Sequence, residues 1–335
     1  MTRPNAFKAL VVTETEDKKF VRSIETKKID DLPEGEVIVK VHYSSLNYKD
    51  VLSATGNRGV TRNYPHTPGI DASGVVVESA AAAFKPGDEV IVTSYDLGMN
   101  TSGGFAQYIR VPADWVVPLP TGLSLREAMI YGTAGFTAAL SVWRLVENGV
   151  RPDDGDILVS GATGGVGSIA VSILAQSGYG VVAVNGVADE TEYLKQIGAK
   201  EVISIAEATD TSGRPILKNR WAGGIDTLGG EILATTIKTV NYGGTVTCCG
   251  NAASPDLPLN VYPFILRGVT LAGIDSQNCP VAVRKTIWAK IATDWKVDWL
   301  ETLTTEASFA DLDQKIEMMR QGRHKGRTII NIGAA

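Results

Sequence analysis

A run of small residues, Ser160-Gly161-Ala162-Thr163-Gly164-Gly165-Val166-Gly167, stands between a short apolar strand and a helical run over 166–175. Glycines in this spacing let a backbone turn tightly, approach a pyrophosphate closely and pack a helix against a strand, while the helix start offers unbonded N–H groups to an anion. The same residues would also serve a plain strand-to-helix turn with no ligand. The surrounding pattern favours the dinucleotide: β-rich segments at 157–160, 181–184, 202–204, 225–227, 245–249 and 271–275 alternate with helical patterns. Alternation of that kind predicts a doubly wound parallel sheet covered on both faces.

The earlier part of the chain has a different texture. From residue 7 to about 120 it reads as short strands cut by turns, such as Glu36-Val37-Ile38-Val39-Lys40-Val41 and Glu89-Val90-Ile91-Val92 after the turn Lys85-Pro86-Gly87-Asp88. A long helical stretch over 125–148 opens the second texture. The tail Gly326-Arg327-Thr328-Ile329-Ile330-Asn331-Ile332 is a strand with no helical unit of its own, so it returns to the β-rich part. The expected division is therefore 1–124 with 277–335 as one domain, and 125–276 as a nucleotide-binding domain inserted into it.

A chain of 335 residues exceeds what one hydrophobic core usually serves, which agrees with two domains. A net charge of −5 gives no broad basic surface for nucleic acid, and no apolar run is long enough to span a bilayer. A small-molecule substrate and a cytoplasmic location are expected. Cys248, Cys249 and Cys279 read as buried packing residues in a reducing compartment.

Beyond the glycine turn, where an NAD-specific site carries an acidic residue for the ribose, this chain has Asn185 followed by Gly186 and Val187. An amide does not repel a 2′-phosphate, so NADPH is admitted, yet no Arg or Lys follows to attract it and NADH is not excluded. Asn185 would equally end a strand. A catalytic zinc is not provided for: His42, His66 and His324 are scattered and no cysteine precedes residue 248. Without a Lewis acid an ordinary ketone loses its main alkoxide stabiliser, and conjugated acceptors become the better substrate class.

These absences, with Ser45-Leu46-Asn47-Tyr48-Lys49-Asp50, Pro68-Gly69-Ile70-Asp71, Gly132-Thr133-Ala134-Gly135-Phe136-Thr137, Tyr262-Pro263-Phe264-Ile265-Leu266-Arg267 and Gly273-Ile274-Asp275-Ser276, resemble the zinc-free medium-chain dehydrogenase/reductase superfamily. More narrowly, the Asn-Tyr-Lys-Asp and Pro-Phe-Ile-Leu-Arg blocks resemble its bacterial acryloyl-CoA reductase and quinone oxidoreductase group. The resemblance implies an α/β protein with a GroES-like catalytic domain carrying an inserted Rossmann domain, NADPH as cofactor, and a homodimer joined through the last Rossmann strand. It implies Tyr48 beside the nicotinamide, Thr163, Gly164, Gly165 and Val166 on the pyrophosphate, and Asn185, Gly186 and Val187 by the adenosine ribose. Asn251, Ile265 and Ser276 would line the nicotinamide end, with Thr133, Thr137 and Arg327 completing the cofactor set. Some relatives have Arg where this chain has Val187 and Glu201, which leaves the cofactor preference open.

In the reaction this suggests, hydride reaches the β-carbon of an enoyl thioester such as acryloyl-CoA and an enolate forms. Tyr48 would donate to that enolate, although a phenol of ordinary pKa near 10 is a weak acid and the ring would serve equally as a wall for the cofactor. Asn47 would orient the acceptor carbonyl or satisfy a turn. Asp71 is expected to be structural, paired with a cation or backbone N–H. Arg58, Arg62, Arg323, Lys325 and Arg327 would meet carrier phosphates or remain solvated. Two other readings stand beside this one: an NAD(P)H:quinone reductase, and a dinucleotide-binding sensor without turnover.

Overall fold

The computed structural model describes residues 4–186 and 190–333. They form two compact units: one runs to Thr133 and takes back Gln277–Ala292 and the chain from Thr304 onward, and the other comprises Ala134–Ser276 with Thr293–Leu303.

The first unit is built on a seven-stranded sheet and a two-stranded ribbon, Ala6–Glu14 against Phe20–Lys28. The sheet runs Thr304–Ser308, Arg327–Asn331, Val37–Leu46, Asp71–Ser79, Glu89–Thr93, Val116–Pro118 in spatial order. The long strand Val37–Leu46 organises it. One edge pairs antiparallel with Asp71–Ser79, while the other is shared between Tyr108–Val111 near its start and Arg327–Asn331 near its end. Thr328 lies opposite Leu46 and Tyr43 opposite Ser73, so the register carries Arg327, Ser45 and Asp71 to one end of the sheet. Val37, Val39, Val41 and Leu46 enter a core with Val90, Val92, Phe105, Ile109 and Ile330. Their β-branched shapes suit a pleated surface buried on one face.

In the second unit six parallel strands lie in the order Glu201–Ser204, Val181–Asn185, Ile157–Val159, Trp221–Asp226, Val240–Cys248, Thr270–Gly273. Counted along the chain this is 3-2-1-4-5-6, the Rossmann arrangement, with its switch point between the first and fourth strands. Strand residues on both faces are buried, as helical crossovers require. The fourth strand begins at Trp221, ahead of the expected 225, because Gly223 and Gly224 are tolerated where neighbouring chains approach: an added Cβ would come within 2.7 Å of Thr245 O or Thr236 Cγ2.

The helix Leu125–Glu147 is broken at Gly132, where φ is 50° and ψ −155°. The units divide one residue past this break, at 133/134 rather than at the expected 124/125. Likewise Thr293–Leu303 sides with the second unit instead of the first. No helix among the described residues is long and apolar enough to cross a membrane.

Candidate active site

The glycine turn is set by close packing. Gly161 has φ 59°, and a Cβ there would sit 2.2 Å from Thr227 Oγ1. A Cβ on Gly167 would sit 2.3 Å from Gly161 O and 2.8 Å from Ala162 Cα, which no side chain can accommodate. Helix Gly165–Gln176 starts here, and its first-turn N–H groups have no intrahelical acceptors. Thr163, Gly164, Gly165 and Val166 are partly exposed around that start, while Ala162 N–H donates to Val184 O at 3.4 Å beside Asn185. This cradle fits the pyrophosphate of a dinucleotide.

A second device, not expected from the sequence, locks it. Asp226 ends the fourth strand, accepts from Ser160 Oγ at 2.7 Å through one oxygen and from Gly229 N–H at 2.7 Å through the other. Ser160 Oγ in turn accepts from Thr227 N–H at 3.0 Å, and Thr227 Oγ1 donates to Ser160 O. Burial pushes the Asp226 carboxyl up from its ordinary range, against the hydrogen bonds that pull it down. The available signal was an aspartate ending an apolar run immediately before Thr227-Leu228-Gly229-Gly230.

Around this cradle Asn185 ends the second strand and Gly186 follows it, while Val187 lies outside the described residues. Glu201 is exposed at the start of the third strand. Asn251 is exposed, its Cα close to Gly229. Ile265 lies 67% exposed on the helix Tyr262–Arg267, Ser276 closes the main segment of the second unit, and Thr137 is buried in the helix beyond Gly132. Cys279 is buried, but Cys248 and Cys249 are half-buried, because the strand ends at Cys248 and only one of the pair lies in the sheet.

In the first unit a buried polar cluster draws together Asn47, Asp71, Thr133 and Arg327. Four donors converge on Asp71: Ser45 Oγ at 2.6 Å, Asn47 Nδ2 at 2.8 Å and Thr133 N–H at 2.9 Å on Oδ2, and Thr133 Oγ1 at 2.6 Å on Oδ1. Arg327, 1% exposed, donates through Nε to Ile130 O, through Nη1 to Leu46 O and Asn47 Oδ1, and through Nη2 to Ser45 Oγ, with Asp71 Oδ2 4.0 Å away. Burial lowers the Arg327 pKa, while Asp71 and Asp50 pull it back up. Gly132 closes the cluster, since a Cβ there would lie 2.5 Å from both Asp71 Oδ2 and Ser45 Oγ.

Asp50 joins this cluster to the loop before it. Its Oδ2 accepts from Asn47 N–H and its Oδ1 from Ile70 N–H, each at 2.8 Å. Complete burial, then the nearby Asp71 charge, raise the Asp50 pKa to about 7 despite those donors. The result is a pinned start for helix Tyr48–Ala54, from which Tyr48 projects 61% exposed. Among the described residues no group of three or more His, Cys, Asp or Glu is placed to hold a metal ion.

Known families share this sequence pattern. The one described as Alcohol dehydrogenase GroES-like domain matches residues 33–121, and that described as Zinc-binding dehydrogenase matches 165–293. The chain is 46% identical to YhfP of Bacillus subtilis, over 97% of this chain and 99% of that protein. It belongs to the zinc-independent medium-chain dehydrogenase/reductase family. Within that family it falls in the acryloyl-CoA reductase and quinone oxidoreductase group, being 43% identical to acrylyl-CoA reductase AcuI of Ruegeria pomeroyi over 98% of this chain and 100% of that one. The solved yhdH oxidoreductase of Salmonella enterica, in complex with NADP, superposes with a TM-score of 0.94 at 43% identity, covering 97% and 99% of the two chains. The B. subtilis yhfP structure, with NAD bound, gives 0.96 at 45% identity, covering 98% and 100%.

Two expectations change in this medium-chain reductase. The Asn47 amide is spent on Asp71, Ser45 O and Arg327, so it braces the cluster instead of facing an acceptor carbonyl. The Arg327 guanidinium is likewise committed inward as the counter-cation of Asp71, because its enclosure removes it from any phosphate at the surface. Arg58 also has internal partners, pairing with Glu14 and lying 5.0 Å over the Tyr64 ring.

Proposed function

We propose that this chain is an NADPH-dependent reductase of the conjugated C=C of a small enoyl thioester such as acryloyl-CoA. NADPH, when bound at the glycine cradle, supplies hydride to the β-carbon. The chain's own residues do the rest. The N–H groups at the start of helix Gly165–Gln176 and Thr163 would hold the pyrophosphate, and Asn185 the ribose, where an amide admits a 2′-phosphate. Charge displaced from the double bond gathers on the thioester oxygen, and the Tyr48 hydroxyl is the group that would donate to it. The observation that carries this reading is the exposed phenol at a helix start that Asp50 fixes to a fully hydrogen-bonded cluster.

The test is steady-state oxidation of NADPH and NADH against acryloyl-CoA, crotonyl-CoA and a benzoquinone, with wild type and Tyr48→Phe. Faster turnover of the thioesters, depressed in the variant by roughly 10²-fold while quinone turnover changes little, supports Tyr48 as the enolate donor. Fast quinone turnover insensitive to the variant favours the second reading, in which Tyr48 is an aromatic wall for a stacked acceptor. Binding of NADPH with no consumption by either acceptor class would leave a sensor.

The assembly expected is a homodimer. Strand Thr270–Gly273 is the terminal strand of its sheet, and Val261, Ile265 and Leu266 nearby in sequence are strongly exposed, an arrangement suited to pairing with a second copy. Sedimentation equilibrium giving a monomer at micromolar concentration would reject it.

A further inference from the structure

Among Ser45, Asn47, Asp50, Asp71, Ser94, Thr133 and Arg327, only Thr133 is half-buried and the rest are buried, so it is where the polar cluster approaches the surface of its unit. Its hydroxyl has a defined polarity. A carboxylate only accepts, so Thr133 donates to Asp71 Oδ1 at 2.6 Å. The hydrogen in the 2.8 Å contact between Ser94 Oγ and Thr133 Oγ1 then comes from Ser94. Ser94 thus completes a directed chain, Ser94 to Thr133 to Asp71.

The backbone that delivers Ser94 is strained. Ser94 has φ 63° and Tyr95 φ 50°, two consecutive non-glycine residues in the left-handed region. Such conformations are costly and persist only where the surroundings over-determine them, most often at functional sites. Here they are over-determined. Ser94 N–H donates to Ile70 O at 2.7 Å and Tyr95 N–H to Gln277 O at 3.1 Å. The Tyr95 ring stacks on Trp115 with centroids 5.6 Å apart, and the guanidinium of buried Arg284 lies 4.4 Å from its centroid while donating to Thr93. Gln277 also accepts from Lys49 Nζ at 2.7 Å, which ties the strained corner to the helix start that bears Tyr48. Glycine would relax the corner but would carry no hydroxyl.

We propose that Ser94 is a positioning residue for the reduction: the strained corner holds its hydroxyl against Thr133, fixing the Thr133 hydroxyl on Asp71, whose other oxygen holds Asn47, the residue before Tyr48. The inference rests on the hydride-transfer reading, which puts Tyr48 at the reacting groups.

Two variants separate the hydroxyl from the strain. Ser94→Ala removes the hydroxyl and keeps the left-handed backbone strained, whereas Ser94→Gly removes both. Both are expected to lose roughly 10–100-fold in kcat, with KM for the thioester within about twofold of wild type. NADPH affinity, read by fluorescence titration, should stay unchanged in both. The thermal midpoint of Ser94→Gly should lie about 2–4 °C above that of Ser94→Ala, so that stability follows the backbone and turnover follows the hydroxyl. Wild-type kcat in either variant, or turnover lost in Ser94→Ala and restored in Ser94→Gly, overturns the proposal. A wild-type protein that binds NADPH but oxidises it with none of the acceptors instead sinks the hydride-transfer reading, and the positioning role falls with it.

Discussion

Replacing Asp50 with asparagine tests whether a buried carboxyl titrates near neutrality beneath Tyr48. The Asp50 pKa stands at about 7 in the folded protein against an ordinary 3.8, so between these values the native state holds a proton that the unfolded chain has released. Unfolding then releases protons in this window, and stability falls as pH rises from about 4 through about 7. Above that range both states are ionised and the slope vanishes. Worked through at 1.36 kcal/mol per unit, Asp50 lowers wild-type stability by roughly 3 kcal/mol between pH 5 and pH 8.5. Asparagine keeps the volume and stays neutral, but it offers one oxygen to the two N–H groups that Asp50 serves, a loss of about 1–2 kcal/mol at every pH. The two stability curves should therefore cross, with wild type ahead at pH 5 and Asp50→Asn ahead at pH 8.5. Urea titrations followed by far-UV circular dichroism at both pH values measure this directly, and taking the difference between the proteins removes the other titrating groups. Parallel curves from pH 5 to 8.5 would show that Asp50 is ionised throughout.

Arg327→Met should destabilise the first unit by about 3–5 kcal/mol in urea, because it strands the Asp71 charge in the interior, and Arg327→Lys should restore little since one ammonium cannot span Ile130 O, Leu46 O, Asn47 Oδ1 and Ser45 Oγ. Gly167→Ala should weaken NADPH binding more than about tenfold by fluorescence titration, since the new methyl meets backbone atoms at 2.3 and 2.8 Å that cannot yield without moving the helix start. Cys249, whose thiol is pushed up to about 12 chiefly by burial and also by Asp226, should resist iodoacetamide at pH 8 in the folded protein, and mass spectrometry showing rapid labelling would contradict that environment.

The second unit was largely legible in the sequence because its signals are local. Apolar runs at regular intervals mark buried parallel strands, and Gly161, Gly164 and Gly167 report a backbone constraint within one turn of themselves. The first unit's polar cluster was not legible, because it joins residues as distant as Ser45 and Arg327, which meet only when the C-terminal strand pairs with Val37–Leu46. Asn47 and Arg327 read as ligand-facing for that reason: their types suit a ligand, and only the strand register reveals the partners that engage them first. The Gly132 break was hidden in the same way, since a helical pattern over 125–148 says nothing of the Asp71 and Ser45 oxygens that leave no room for a Cβ. Asp226 stands at a legible strand end, but its bond to Ser160 was hidden because the two meet only when the first and fourth strands pair.

The Ser160–Asp226–Thr227 latch ties the first strand of the parallel sheet to the fourth at the place where a pyrophosphate would rest. Its three side chains and the Gly229 amide are hydrogen-bonded to one another within the protein. The conformational entropy of that loop is therefore surrendered when the protein folds, and a nucleotide arriving later meets a finished receptor. Affinity at this end is then governed by the fit of the phosphates themselves, and a change in Ser160 or Asp226 would be felt as a looser receptor well before it was felt as a missing contact.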